Sequence, residues 1–141
     1  FDADKAYKDS KLCNMLMGFH AANLHPELPV ICWSPGLVIP RSSDGFFRES
    51  RRANPVGQAL FGFVARDLFR ITESVDNAGE LLVQLVTERG GSGFSYWCNT
   101  LLGPGRHSFE RMDPSEEASD AAKAERLWTM SRERIHSVLS V

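Results

Sequence analysis

The sequence predicts an α/β fold that contributes part of a parallel sheet. Two short apolar runs, "LPVICWSPG" and "FSYWC", are typical of strands in such a sheet, because a parallel strand is buried on both faces. Segments with the three- and four-residue apolar spacing of helices lie before, between and after these runs. Two strands alone would leave buried edges unpaired. We therefore expect further strands upstream of this chain.

Composition and charge narrow the class of protein. The 141 residues suffice for one domain with a core, and a content of 43% hydrophobic and 24% charged residues predicts a folded protein. A net charge of -2 without a long basic run predicts no nucleic-acid partner. No apolar run approaches the roughly 20 residues that span a bilayer, and no signal peptide is recognisable. The composition thus favours a soluble setting.

The cysteines and histidines do not suggest disulfide or metal chemistry. Cys13, Cys32 and Cys98 are odd in number, lie far apart and have apolar neighbours, which predicts reduced and largely buried thiols. The four histidines show no paired ligand spacing. We therefore expect a reducing environment and no metal site.

The first half of the chain predicts a helix, a strand and an irregular segment. Apolar residues recur at helical spacing over residues 3–23, and the pair His25-Pro26 ends this helix, because the residue before a proline avoids helical backbone angles. The first apolar run follows and is closed by a Pro-Gly pair. Residues 42–72 mix phenylalanine and arginine with glycine and proline, which predicts two short amphipathic helices.

The second half predicts a helix, a strand and a final helix. Ser74 is a suitable cap for the first of these helices, and the "GGSG" run at residues 90–93 ends it. This run is not a phosphate-binding loop, because it precedes a strand, whereas the dinucleotide fingerprint follows a strand and opens a helix. The second strand leads into a turn at residues 103–105.

The C-terminal region predicts two helix starts and a buried apolar stripe. Asp113 with Pro114 has the pattern of an N-cap followed by proline at the first helical position. Ser119 and Asp120 can cap the final helix. Its predicted core-facing stripe consists of Ala124, Leu127, Trp128, Ser131, Ile135 and Leu139.

A tyrosine and a lysine four residues apart form the main candidate site. Tyr7 and Lys11, in "YKDSK", lie on one face of the first helix with about 5–6 Å between their Cβ atoms. A neighbouring ammonium favours the phenolate form of tyrosine, so such a pair can exchange a proton nearer to neutrality. The pattern alone is weak, since charged helix faces are common. The strand ending in Pro-Gly strengthens it, because open α/β sheets bind ligands beyond the carboxyl ends of their strands.

These features resemble a known family. "YKDSK" followed by the strand with Pro35 and Gly36 is similar to the second half of the short-chain dehydrogenases/reductases, which use nicotinamide cofactors. Within them, "FDADKAYKDSKLCNML", "ESVDNAGELLVQLV", "GFSYWCN" and "EEASDAAKAERLW" resemble the C-terminal half of the light-dependent protochlorophyllide oxidoreductases. The match is poorest over residues 38–70. It implies that residues 1–141 are the C-terminal portion of one Rossmann-like domain with a doubly wound parallel sheet, whose nucleotide-binding half is absent from this chain.

The resemblance implies an oxidoreductase of chlorophyll biosynthesis, which reduces a CH-CH group of protochlorophyllide with NADPH when the pigment absorbs light. Tyr7 would donate a proton, and Lys11 would contact the nicotinamide ribose; both would touch the cofactor. Pro35, Gly36 and Val38 would lie against the nicotinamide, since glycine lets the backbone approach closely. The pyrophosphate-binding residues would lie upstream, so this chain alone is expected to bind NADPH poorly.

The resemblance also implies a substrate side of the site. Ser34 and Leu37 stand where the family has a tyrosine and a cysteine, and both are predicted substrate contacts. Residues 42–72 correspond to a flap over the pigment, where Phe46 and Phe47 would cover the flat macrocycle. Aromatic residues beside arginines also suit a protein core or a membrane surface, so a peripheral membrane contact stays open.

Two other functions fit the same residues. The exchanged tyrosine and cysteine favour a short-chain dehydrogenase/reductase that acts on another apolar carbonyl or alkene, and a non-catalytic pigment-binding relative would also retain the fold. The resemblance implies a chloroplast or, in a cyanobacterium, the thylakoid-associated cytoplasm, with any targeting segment upstream of Phe1. The oligomeric state stays open, a homo-oligomer included.

Overall fold

The computed structural model describes residues 1–41, 48–88 and 91–139. The helices and strands in these ranges are, in order, α1 (Ala3–Leu24), β1 (Pro29–Ser34), α2 (Arg48–Ala53), α3 (Pro55–Gly62), a π-helical turn (Phe63–Leu68), α4 (Val75–Glu88), β2 (Gly93–Gly103), β3 (Arg106–Met112) and α5 (Ala121–Leu139). The predicted α/β class is confirmed. None of the described helices has the length and apolar character needed to cross a membrane.

The three described strands form one mixed sheet in the order β1-β2-β3, with β1 and β2 parallel. The sequence does not predict β3, because "RHSFERM" is largely polar and lacks the β-branched residues that mark strands. It pairs with β2 because the turn at Pro104 and Gly105, where Gly105 has a φ of 67°, folds the chain back. The parallel pairing of the two predicted strands, β1 and β2, is confirmed, and β3 adds a strand that makes the sheet mixed.

β1 is an end strand of the described sheet. Its residues after Pro29 are half-buried, although the apolar run predicts a strand that is buried on both faces. The difference arises because β2 is the neighbour of β1 on one side, and no described strand lies on the other.

The described residues group into two compact units. The first comprises Phe1–Cys32, Gly91–Tyr96 and Met112–Val141. The second comprises Trp33–Gly90 and Trp97–Arg111. Helices α1 and α5 belong to the first unit, and α2, α3, the π-helical turn and α4 belong to the second.

Both helices of the first unit begin at a capping aspartate. Asp2 accepts a hydrogen bond from the backbone N–H of Lys5 at 3.0 Å, and Asp120 accepts one from Lys123 at 3.0 Å, which confirms the cap predicted for α5. Helix α1 ends at His25, as the following proline predicts. Local chemistry therefore sets these helix boundaries.

Helices α1 and α5 pack against each other, and α1 also contacts β2. The His20 ring lies 5.2 Å from that of Trp128 on α5, and the Phe19 ring meets Phe94 of β2 edge-on at 5.6 Å. Four apolar residues of this unit are buried: Leu16, Ala22, Ala118 and Ala124. The first unit thus has its own small core.

Gly18 lets α1 lie close to β1. A Cβ atom at position 18 would be 2.8 Å from the Sγ of Cys32 and 3.6 Å from side-chain atoms of Val30 and Phe94. A separation of 2.8 Å is too short for two such atoms, so only glycine fits there without a shift.

We expect Gly18→Ala to destabilise the protein by about 1–2 kcal/mol, because overpacking outweighs the gain in helix propensity. Urea unfolding measures the free energy of unfolding. In a Cys32→Ala background the same substitution should cost less, with a coupling of at least about 0.5 kcal/mol, because the colliding sulfur is gone. Equal losses in both backgrounds would contradict this packing account.

The predicted helix start at Asp113 and Pro114 is wrong. Residues 116–119 form a single turn, in which the carbonyl of Ser115 accepts hydrogen bonds from the N–H groups of Ala118 and Ser119 at 3.0 and 3.1 Å. The cap pattern is present in the sequence, but the chain leaves the helical conformation before a second turn can form.

The predicted core stripe of α5 is correct only at its start. Ala124 is buried, and Leu127, Trp128 and Ser131 are half-buried, whereas Ile135 and Leu139 are 58% and 77% exposed. Helical spacing identifies a common face, but it does not determine how far packing extends along that face.

The three cysteines are free, but the prediction that they are largely buried is wrong for Cys13. Cys13 is exposed, and Cys32 and Cys98 are half-buried. Apolar neighbours in sequence do not bury a helical residue, since adjacent side chains point roughly 100° apart around the axis. Burial raises the pKa of the Cys32 thiol, which favours its protonated form.

In the second unit, α2 and α3 confirm the two short helices predicted for residues 42–72, and the π-helical turn extends them. Asn54 caps α3 by accepting a hydrogen bond from Gly57 at 2.9 Å. Ser74 caps α4 as predicted, since its Oγ accepts from the N–H of Asn77 at 3.0 Å. The buried apolar residues of this unit are Ile39, Ala65, Ala78, Leu81 and Leu85.

Candidate active site

Tyr7 and Lys11 lie in the second and third turns of α1. Exposed ion pairs with i,i+4 spacing support this part of the helix: Lys5 Nζ lies 2.6 Å from Asp9, and Lys8 Nζ lies 2.7 Å from Asp4. Each carboxylate raises the pKa of its lysine, by a side-chain hydrogen bond first and by its charge second. The helix is thus well formed where it carries the tyrosine.

The structure brings the Tyr7 and Lys11 side chains together. Lys11 Nζ lies 5.2 Å from the centroid of the Tyr7 ring, within the roughly 6 Å range of a cation–π contact. Tyr7 is 46% exposed and Lys11 is exposed as well. The shared helix face predicted from the spacing is therefore present, and both groups are accessible to a ligand.

Five of the predicted site residues lie at the end of β1 and in the loop that follows it: Ser34, Pro35, Gly36, Leu37 and Val38. Gly36 is exposed and has a φ of 79°, a conformation that favours glycine. A Cβ atom at this position would lie 3.0 Å from the backbone oxygen of Asn99. Leu37 is exposed, while Ser34 and Val38 are half-buried. The backbone at Gly36 is thus open on one side and closely supported on the other.

Two residues that the sequence does not single out hold this loop. Asn99, which is only 5% exposed, donates from Nδ2 to the carbonyl of Pro35 at 3.3 Å and to Oε2 of Glu73 at 2.9 Å. The Glu73 N–H donates to the carbonyl of Leu37 at 2.8 Å, and Glu73 forms a parallel bridge with Val38. The loop is therefore anchored at three positions: Pro35, Leu37 and Val38.

The Glu73 carboxylate accepts hydrogen bonds from several donors. Burial by itself would raise its pKa, but hydrogen bonds from Asn99, from the Ser74 N–H at 2.7 Å and from Asn77, together with the His107 charge, hold the pKa below the ordinary 4.5. His107 Nδ1 lies 3.6 Å from Glu73 Oε2, and these two side chains are 14% and 10% exposed. Glu73 is thus ionised and is the common partner of these side chains in the second unit. This group of side chains around Glu73 is called the hub.

Protonation of the Glu73 carboxylate at acid pH should lower the free energy of unfolding. Because the pKa of Glu73 is lowered in the folded state, its contribution to stability is present above about pH 4.5 and is lost as the pH falls through the folded-state pKa. We expect the free energy of unfolding of Glu73→Gln, measured in urea, to fall less steeply over this acid range than that of the unaltered protein. If the free energies of unfolding of Glu73→Gln and of the unaltered protein fell in parallel with pH, Glu73 would not be stabilised as a carboxylate.

A cavity of about 510 Å³ lies within the second unit, beside the hub. Glu73 and His107 line it together with Arg41, Arg70 and Asp67. Asp67 pairs with Arg41 at 2.8 Å and with Arg66 at 2.9 Å. The hydrogen bond from Arg66 is the main cause of the lowered pKa of Asp67, and Arg41 contributes further. Positive and negative groups are balanced on this wall, so its charge favours no single ligand class.

The predicted site residues fall into two groups. Tyr7 and Lys11 belong to the first unit, and the loop from Ser34 to Val38 belongs to the second. Phe46 and Phe47, the predicted pigment contacts, lie outside the described residues. Across the described ranges, no three histidine, cysteine or acidic side chains are grouped as metal ligands.

Sequence reasoning missed Glu73, Asn99 and His107. One signal was available: Asn99 is a polar residue in the strand that begins as "FSYWC", and a buried amide needs hydrogen-bond partners. The identity of those partners is not readable from the sequence, because they lie far from position 99 along the chain.

The sequence is similar to curated plant proteins over 96% of its length. It is 36% identical to a protochlorophyllide reductase of Cucumis sativus and to protochlorophyllide reductase B of Hordeum vulgare, and 34% identical to a protochlorophyllide reductase of Pisum sativum. All three are named as chloroplastic proteins. The chain spans 32% to 33% of the length of these relatives. No family model matches it.

Proposed function

Given that this chain is a homologue of the protochlorophyllide reductases, we propose that it is the C-terminal part of an enzyme that reduces protochlorophyllide to chlorophyllide with NADPH and light. The observation that carries the proposal is the similarity over 96% of the chain at 34% to 36% identity. Since these relatives are chloroplastic, the proposal places the enzyme in chlorophyll biosynthesis within a plastid.

The residues present fit a nicotinamide cofactor. Gly36 is exposed and lacks a side chain, so Pro35, Gly36 and Val38 can present their backbone directly to a flat ring. The ammonium of Lys11 has three donors and can hold ribose hydroxyls. When bound, NADPH supplies the hydride for the reduction.

Tyr7 supplies the proton in this proposal. Its O–H bond breaks, the proton passes to a carbon of the reduced double bond, and the phenolate oxygen keeps the electron pair. The Lys11 ammonium, which already faces the Tyr7 ring at 5.2 Å, stabilises the negative charge that remains. The accessible position of both groups supports these roles.

The second unit offers apolar cover for a flat pigment. Ser34 and Leu37 would contact the substrate, and residues 42–72, with Phe46 and Phe47, would form the flap. Large apolar side chains in the described part of the flap are exposed to solvent: Val56, Leu60, Phe61, Phe63, Leu68 and Phe69. These side chains are available to contact an apolar ligand or a membrane surface. The exposure of these side chains supports the proposal that residues 42–72 cover the pigment. It is also compatible with a peripheral membrane contact.

Illumination tests the proposed function. The full-length protein is mixed with NADPH and protochlorophyllide in the dark and then exposed to light, and the pigment absorbance should shift to the red only in the illuminated sample with NADPH. No shift would refute the proposal. Dark turnover of an unrelated apolar carbonyl would instead support the other dehydrogenase function, which the exchanges at Ser34 and Leu37 favour. Pigment binding without either reaction would identify a non-catalytic relative.

A further inference from the structure

The 35–38 loop, residues 35–38, has little regular structure of its own and depends on side chains from elsewhere in the second unit. The carbonyls of Pro35 and Leu37 accept hydrogen bonds from Asn99 Nδ2 and from the Glu73 N–H. Between these two anchors, Gly36 has a left-handed backbone conformation. A loop of this kind keeps one conformation only if its surroundings hold it there.

We propose that Glu73, Asn99 and His107 form a positioning network that holds the 35–38 loop in its binding conformation and thereby sets the affinity for the nicotinamide cofactor. The loop-holding role follows from the contacts of the second unit. The effect on the cofactor rests on the proposed function, in which this loop lies against the nicotinamide.

Asn99 couples the loop to the hub. Its amide group donates both to the Pro35 carbonyl and to Glu73 Oε2, at 3.3 and 2.9 Å, and it is 5% exposed. Loss of one partner in such a setting leaves a buried polar group unsatisfied, which costs more than the bond contributes when intact. The backbone oxygen of Asn99 also closes the space that a side chain at Gly36 would need. Asn99 therefore restricts the loop at two adjacent positions.

Glu73 must be a carboxylate to perform this role. Its Oε1 accepts from the Ser74 N–H at 2.7 Å, and its Oε2 accepts from Asn99 and faces His107 at 3.6 Å. The Ser74 N–H and the Asn99 amide are both donors, and a carboxylate can accept from both. A glutamine at position 73 would direct its own NH₂ group toward one of these donors, so one hydrogen bond would be replaced by a repulsive contact.

The neighbours of Glu73 come from three separate elements. Asn99 lies on β2, His107 lies on β3, and Ser74 with Asn77 forms the start of α4. The backbone of Glu73 itself lies beside the loop through its bridge with Val38. A disturbance at Glu73 is therefore transmitted to the loop directly and does not require unfolding of the unit.

Hydrogen exchange in the dark and without ligand tests the loop-holding role in the full-length protein. Exchange of the peptide covering residues 33–40 should be about tenfold faster in Glu73→Gln than in the unaltered protein. The matched control is Leu85→Ala, which creates a cavity at a 1% exposed residue of the same unit but leaves the network intact. Should the control loosen this peptide as much as Glu73→Gln, or should Glu73→Gln leave its exchange unchanged, the network does not position the loop.

Cofactor affinity tests the second half of the inference. We expect the Kd for NADPH, titrated in the dark, to rise about tenfold in Glu73→Gln and to stay within about twofold in the Leu85→Ala control. An equal rise in both variants, or no rise in Glu73→Gln, would overturn the inference. Should Glu73→Gln fail to fold, His107→Gln is expected to raise the Kd for NADPH in the same way but by a smaller factor, and an unchanged Kd in His107→Gln would overturn the inference. Failure of the proposed function can be distinguished from failure of this inference. Even if the unaltered protein is inactive in photoreduction, the exchange rate of residues 33–40 still shows whether the network holds the loop.

Discussion

Replacement of Tyr7 by phenylalanine should slow photoreduction in the full-length protein by at least about 100-fold, the lower range of general acid–base catalysis. Phenylalanine keeps the ring that Lys11 Nζ faces at 5.2 Å, but it removes the hydroxyl that we propose as the proton donor. Tyr7 is 46% exposed, so the loss of its hydroxyl should change the free energy of unfolding by less than about 0.5 kcal/mol. The expected defect is therefore chemical and not structural.

Single-turnover photoreduction after a light flash measures the rate, and absorbance titration measures pigment binding, which should change little. Tyr96→Phe is a matched control, since Tyr96 is the second of the two tyrosines in the chain and lies in β2. It makes the same chemical change on a different element, and it should leave the rate within about threefold. Undiminished turnover in Tyr7→Phe would remove Tyr7 from the mechanism.

Replacement of Gly36 by valine should both destabilise the protein and abolish tight cofactor binding. The φ of 79° costs a side chain about 1–2 kcal/mol, and the contact of the new Cβ with the Asn99 backbone oxygen at 3.0 Å adds about 1–3 kcal/mol. The collision involves backbone atoms, so a side-chain rotation cannot relieve it. Valine would also stand where the backbone is proposed to meet the nicotinamide.

Thermal unfolding and dark NADPH titration measure the two effects. Gly79→Ala is the control, because a Cβ atom at Gly79 in α4 meets nothing within 4 Å. Alanine there should stabilise the helix by about 0.5–1 kcal/mol and leave NADPH binding unchanged. If Gly36→Val retained both stability and affinity, the 35–38 loop could not lie against the cofactor.

Much of the local structure is readable from the residues themselves. The end of α1 at His25, the Ser74 cap of α4 and the Asp120 cap of α5 follow from effects that act within three or four positions. The shared face of Tyr7 and Lys11 follows in the same way, because one helical turn separates them. The family resemblance likewise follows from short sequence motifs.

Other features depend on contacts between distant parts of the chain. β3 is a strand because a hairpin turn aligns it with β2, and the exposure of Ile135 depends on how far packing extends along α5. The network that holds the 35–38 loop joins Asn99 to Glu73 and to Pro35, which are 26 and 64 positions away. Helix caps and periodicity are short-range, so the residues alone suffice for them. A buried amide instead needs partners that only folding brings within hydrogen-bond distance. The network around Asn99 is therefore determined by the tertiary structure and not by the local sequence.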